Sequence, residues 1–154
     1  SAPGQGSRFD VLLPVAIGPQ ESPSATAARL QVPISGTALI VDDEAALRRV
    51  ARVLLEKMGL QVLEAEDGIA GLDRFRASRE QLSLVVLDLT MPGLGGGEVL
   101  REIRRVSPTL PVIIASGYDH ADAATHFQQD AYLRFLQKPF NLSALREAVA
   151  ASLA

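Results

Sequence analysis

Five polar side chains in this sequence share one local setting, each standing at or just past the end of a short apolar run. Asp42 and Asp43 follow Ala38-Leu39-Ile40-Val41, and Asp88 follows Leu84-Val85-Val86-Leu87. Ser116 follows Val112-Ile113-Ile114-Ala115, and Lys138 comes just after Tyr132–Leu136. Three clustered carboxylates repel one another, and a hard divalent cation relieves that repulsion. Mg²⁺ fits, because it takes oxygen ligands, keeps several waters and commonly combines one or two carboxylates with phosphate oxygens. A carboxylate held beside such an ion and an ammonium can attack a phosphoryl group and form an acyl phosphate. The ion and Lys138 would then neutralise charge on the transferring oxygens, and the Ser116 hydroxyl would hydrogen-bond one of them. Each feature has a plainer reading when taken alone. Asp-Asp-Glu after a strand serves as a helix cap with an acidic first turn. Ser116-Gly117 reads as a turn and Lys138-Pro139 as a solvated loop.

The plainer readings weaken once the elements that carry these residues are laid out. Ala38–Val41 is a strand buried on both faces. Apolar residues then recur at Leu47, Val50, Ala51, Leu54 and Met58, one stripe of a helix closed by Gly59. Gln61–Glu66 is a second strand, and Gly68–Ser78 a helix with Ile69, Leu72 and Phe75 inward. Leu84–Asp88 is the third strand. The segment Met91–Gly97, with its glycine triplet, is a flexible approach to a helix marked by Val99, Leu100, Ile103 and Val106. It lacks the lysine and hydroxyl residue of a P-loop. Pro111–Ser116 and Tyr132–Leu136 are the fourth and fifth strands. A fourth helix is expected over 121–129, with Ala123 and Phe127 inward. The last helix, from about Leu142 to Leu153, turns Leu142, Leu145, Val149 and Leu153 inward.

Alternating strands and helices predict an α/β fold, a doubly wound five-stranded parallel sheet of order 2-1-3-4-5 with five helices. Sites in such sheets form outside the carboxyl ends of the strands, near the topological switch. That is where Asp42, Asp43, Asp88, Ser116 and Lys138 fall. Asp88 is the expected nucleophile, because its strand lies between the acidic pair and the strand that ends in Ser116.

Composition removes several other function classes. The 154 residues carry a net charge of −3 with no basic arm, so no nucleic-acid footprint is present. There is no cysteine, hence no disulfide framework, thiol nucleophile or zinc–sulfur site, and the two histidines are too few for a histidine-rich metal site. No apolar run approaches the roughly 18 residues that span a bilayer, and no basic region leads into an apolar stretch as in a signal peptide. A soluble, mildly acidic intracellular domain is expected. Residues 1–36 differ in kind: they hold five of the nine prolines, and 18–28 are small, polar and proline-punctuated like a linker. Arg8–Val15 is strand-like without a partner strand nearby. The expected boundary of the regular domain is Thr37.

In order and spacing, Leu39-Ile40-Val41-Asp42-Asp43-Glu44, Val86-Leu87-Asp88-Leu89-Thr90-Met91-Pro92-Gly93, Ala115-Ser116-Gly117-Tyr118 and Leu136-Gln137-Lys138-Pro139-Phe140 resemble a response-regulator receiver domain. The match runs over 37–154 and implies a flavodoxin-like fold. It implies that Asp88 accepts phosphate from a phosphohistidine and that Asp43 and Asp88 ligate Mg²⁺ directly. It further implies that Asp42 helps largely through water and that Thr90 offers its backbone carbonyl. Ser116 and Phe135 would be the switch pair, Lys138 the phosphate-binding cation, and Thr90 and Tyr118 would flank access to the phosphate. A cis peptide before Pro139 is a feature receiver domains share. Phe135 stands where tyrosine is frequent, and Gly95 where Asp or Asn is common.

Gly4–Pro14 resembles the last glycine box and final strand of a histidine-kinase ATP-binding domain. This implies the C-terminal receiver of a hybrid sensor histidine kinase, with 1–17 a remnant of the ATP-binding domain, 18–36 a linker and 37–154 the receiver. Expected partners are the phosphohistidine domain of a sensor kinase, in its own chain, or a histidine phosphotransfer protein. Nucleic acid and direct membrane contact are not expected. The location would be cytoplasmic, and the receiver would catalyse only its own aspartyl phosphorylation and dephosphorylation. Two alternatives exist. A haloacid-dehalogenase-type phosphatase also uses Asp, Mg²⁺, a hydroxyl residue and Lys, but there the acidic pair comes late, and here it comes first. An interaction-only domain would keep the fold and lose the chemistry, yet every acidic, hydroxyl and lysine position is filled.

Overall fold

The strands of this protein are short because they need only cross one layer, and most are apolar on both faces because helices cover both sides. A computed structural model describes residues 34–117 and 130–153. The strands are β1 (Thr37–Val41), β2 (Gln61–Ala65), β3 (Leu82–Asp88), β4 (Val112–Ser116) and β5 (Leu133–Gln137). The helices are α1 (Ala45–Lys57), α2 (Gly68–Ser78), α3 (Gly96–Val106) and α4 (Leu142–Leu153). The strands form one sheet in the order β2-β1-β3-β4-β5, and every pairing is parallel. The expected topology is therefore the observed one. The helix expected over 121–129 lies outside the described residues.

Strand periodicity divides the core into two layers. Leu39, Val41, Val85, Leu87 and Ile114 face one side, where Leu72 and Phe75 of α2 and Val99, Leu100 and Ile103 of α3 pack on them. Ala38, Ile40, Leu84, Val86, Ile113 and Ala115 face the other, against Ala51 and Leu55 of α1, Met58 just past its end, and Leu145 and Val149 of α4. Packing reaches upstream of β1, since Ile34 lies against this second layer and Gly36 O accepts from Gln61 N at 2.9 Å.

Four expected core positions are instead on the surface: Val50, Ile69, Val106 and Leu142 are 40–65% exposed. The reason is angular, because neighbouring helical residues stand about 100° apart around the axis. In α2 the buried stripe runs through Gly68, Gly71, Leu72 and Phe75, which turns Ile69 outward. Two glycines in that stripe conceal it from a search for apolar periodicity. In α1 the buried positions are Ala51 and Leu55, one residue on from Val50 and Leu54.

Small residues bring helices close to the sheet. A Cβ on Gly71 would meet Val41 Cγ1 at 2.7 Å, and one on Gly96 would meet the carbonyl oxygen of Asp88 at 2.0 Å. Gly96 is thus the point where α3 and β3 touch backbone to backbone, and its neighbours differ. A Cβ on Gly97 meets nothing within 4 Å, and Gly95 caps the helix while its N–H donates to Glu98 Oε2 at 3.2 Å. The glycine triplet is part of a packed helix start and not a flexible approach. Gly96→Ala is expected to destabilise the fold by about 1–3 kcal/mol through overpacking. Gly97→Ala is expected to stabilise it by roughly 0.4–1 kcal/mol through reduced freedom of the unfolded chain. Urea unfolding of the two variants checks the opposite signs.

Candidate phosphoryl-acceptor site

Register alone brings the polar residues together. Val41 pairs with Leu87, so Asp42 and Asp88, the next residue on each strand, lie side by side. Asp88 pairs with Ala115, and Ser116 pairs with Gln137, which sets Lys138 immediately beyond. The backbone N–H of Lys138 donates to the Ser116 carbonyl at 2.8 Å, tying the ends of β4 and β5. The Lys138–Pro139 peptide is cis, as expected.

Carboxylate oxygens of Asp42, Asp43 and Asp88 lie within 4.8 Å of one another. Asp42 and Asp88 are buried, while Asp43 is exposed. Lys138 Nζ donates to Asp42 Oδ2 at 2.7 Å and to Asp88 Oδ2 at 2.8 Å. Burial pulls the ammonium pKa down, but hydrogen bonds and attraction from Asp42 and Asp88 outweigh it, and the net shift is upward. Lys138 therefore stays charged across the neutral range.

The second oxygens are also engaged. Asp88 Oδ1 accepts from Thr90 N at 3.0 Å, and Asp42 Oδ1 accepts from Glu44 N at 2.9 Å. The plainer reading of the acidic run as a helix cap does not hold, since Glu44 occupies the cap position of α1 without a side-chain cap bond. The Asp42 carboxylate is turned into the pocket instead.

The other expected residues fall as follows. Ser116 is buried at the end of β4. Phe135 is half-buried and packs on the same core layer as Ile114, its register partner. By strand alternation Ser116 points to that same face, so the expected switch pair shares one side of the sheet. Thr90 is exposed just past β3. Tyr118 lies outside the described residues. Two contributors carried no signal in the apolar pattern: Gly96, which seats α3 on the Asp88 carbonyl, and Arg48, whose Nη1 donates to the Asp42 carbonyl at 2.7 Å.

The donor set is entirely hard oxygen, with an open, exposed member in Asp43, and this suits Mg²⁺ better than a softer metal. The arrangement as a whole gathers carboxylates, an ammonium and a hydroxyl residue at one strand-end pocket. A family model described as the response regulator receiver domain matches residues 38–150. This chain belongs to that family. Its receiver domain is a phosphoacceptor of two-component signalling, and neither the phosphatase nor the interaction-only alternative is favoured over it.

Known proteins place it further. The sensor kinase CckA of Brucella abortus (strain 2308) is 32% identical over 154 residues, covering 95% of this chain and 16% of that protein. Sporulation initiation phosphotransferase F of Bacillus subtilis (strain 168) is 32% identical over 111 residues, covering 72% of this chain and 88% of that one. The crystal structure of a response regulator receiver domain protein from Clostridium thermocellum superposes with a TM-score of 0.71 at 30% identity, covering 77% of this chain and 94% of that chain. The chain thus spans a small part of the kinase and most of the phosphotransferase.

The charge arrangement makes a prediction for the metal-free protein. Lys138→Met leaves two buried carboxylates facing each other without their cation, and stability should fall by about 1–3 kcal/mol. Adding Asp88→Asn removes the repulsion and should recover part of that loss. Urea unfolding of both single variants and the double variant in a chelator, run as a double-mutant cycle, measures the coupling.

Proposed function

We propose that Asp88 is the acceptor, and that the donor is a phosphohistidine on a sensor kinase or on a histidine phosphotransfer protein. The observation that carries this reading is the ammonium of Lys138 bound to the carboxylates of Asp42 and Asp88 at 2.7 and 2.8 Å, with Asp43 completing the cluster. A carboxylate oxygen of Asp88 attacks phosphorus. The new O–P bond forms as the donor's P–N bond breaks and histidine leaves as imidazole, giving an acyl phosphate. Lys138 then holds the negative charge brought in by the phosphoryl oxygens, and the Ser116 hydroxyl is on hand for one of them. Asp42, Asp43, Asp88 and the Thr90 carbonyl would hold Mg²⁺, which when bound supplies charge neutralisation and alignment of those oxygens. The added negative charge recruits Ser116 and Lys138, and repacking of Phe135 on the same face carries the switch. Thr90 flanks the approach of the water that later hydrolyses the acyl phosphate.

The parent protein in this reading is a hybrid sensor histidine kinase, with 1–17 from the end of its ATP-binding domain and 18–36 a linker whose last residues, Ile34 and Gly36, already contact the receiver. The similarity to the sensor kinase covers 95% of this chain and so extends through most of residues 1–36, whereas that to the phosphotransferase covers 72%. A cytoplasmic location accompanies that parentage. No helix among the described residues is long and apolar enough to cross a membrane.

Three outcomes are expected. With Mg²⁺ and a phosphorylated kinase core, the parent chain acquires acid-labile phosphate that maps to Asp88. Asp88→Asn acquires none while melting no lower than the parent, because the change keeps volume and relieves repulsion. Undiminished transfer to that variant overturns the assignment. A chain beginning at Pro33, which keeps Ile34, should melt within about 4 °C of the full chain, a margin of roughly 1 kcal/mol for a domain of this size. A larger loss in thermal melting means that residues before Pro33 support the receiver.

A further inference from the structure

Among the groups expected to hold Mg²⁺, Asp43 is the one with nothing to steer it. The side chain of Asp88 is held by Lys138 and the Thr90 N–H, and that of Asp42 by Lys138 and the Glu44 N–H. The Asp43 carboxylate is exposed and makes no hydrogen bond among the described residues. Its direction is therefore inherited from its backbone, and above all from the peptide plane between Asp42 and Asp43. That plane has a holder. Arg48, half-buried one turn into α1, reaches back and donates from Nη1 to the Asp42 carbonyl oxygen at 2.7 Å. Its own N–H is bonded to Glu44 O at 3.0 Å, so the guanidinium is borne on a fixed helical turn. The Asp42 N–H is in turn held by Ala65 O at 3.2 Å. With both ends of the Asp42 backbone fastened, the peptide plane from which Asp43 projects is set, and only the torsions of Asp43 itself remain to be chosen.

We infer that Arg48 is a positioning residue for the metal: by holding the Asp42 carbonyl it sets the peptide plane that aims Asp43 at the Mg²⁺ position. The inference rests on the acceptor reading above, since it assumes that Asp43 ligates the ion.

The sign of the effect separates this from the ordinary roles of a surface arginine. A cation beside an acidic pocket repels Mg²⁺, so if Arg48 acted through charge alone its removal would tighten metal binding. If it acted only as a structural brace, its removal would lower the melting temperature and leave affinity alone. A positioning role predicts weaker binding, by about 10-fold or more as is usual when a group orienting a metal ligand is lost.

The experiment is calorimetric titration of Mg²⁺ into the full chain, its Arg48→Met and Arg48→Lys variants, and Asp43→Asn. Thermal melting without metal accompanies each titration. Expected are a rise in Kd for Arg48→Met approaching that of Asp43→Asn, and partial recovery in Arg48→Lys, which retains one donor on a shorter reach. Unchanged or tighter binding by a folded Arg48→Met overturns the inference. Should Arg48→Met fail to fold, Arg48→Lys decides alone, and a Kd equal to the parent's counts against positioning. If the parent itself binds no Mg²⁺, the reading of the acidic cluster fails and this inference falls with it. A parent that binds while Arg48→Met binds equally well removes only the role of Arg48.

Discussion

Like charges crowded at the end of a sheet are the constraint around which this molecule is organised. Asp42 and Asp88 are nearly excluded from solvent, and two such carboxylates side by side would repel strongly in a medium that screens poorly. The ammonium of Lys138, bonded to both, makes their coexistence possible. That contact joins residues 50 and 96 positions apart in the chain, so it exists only once β1, β3 and β5 are all in place. The sheet order meets the same need. A parallel sheet with β1 and β3 adjacent at its centre puts the carboxylates together, and β4 carries β5 to within reach of them.

The remaining polar bonds of the pocket are local and inexpensive to form. Glu44 and Thr90 each offer a backbone N–H to the aspartate two residues earlier, so each aspartate orients itself through its own turn. Distant contacts thus settle charge, and local ones settle direction. Asp43 is the exception, its carboxylate being exposed and without a hydrogen bond among the described residues.

Much of the fold and most of the site could be read from the residues, for a physical reason. Strands buried on both faces, such as β1 and β4 with every residue buried, leave unbroken apolar runs, and a polar residue ending such a run has little choice but the strand's end. Asp42, Asp88, Ser116 and Lys138 were legible in that way. Helix faces were less so. Ile69 looked inward because isoleucine is apolar, yet the inward stripe of α2 is built partly of Gly68 and Gly71, where close approach substitutes for apolar surface. Gly96 was misread for the same reason, since a glycine chosen for contact and one chosen for freedom look alike in sequence. Arg48 was invisible because its partner is a backbone carbonyl, and a carbonyl has no letter of its own.

The contact between Gly96 and the Asp88 carbonyl divides the domain mechanically. Where two backbones touch with no side chain between them, there is no rotamer to change and no slack to take up. β3 and the start of α3 are therefore seated directly on one another, whereas Gly71 of α2 rests on the side chain of Val41. On the other flank, the Lys138 N–H donates to the Ser116 carbonyl, and Phe135 is only partly enclosed. A displacement of the Asp88 backbone would therefore carry the start of α3 with it, a coupling that one glycine creates.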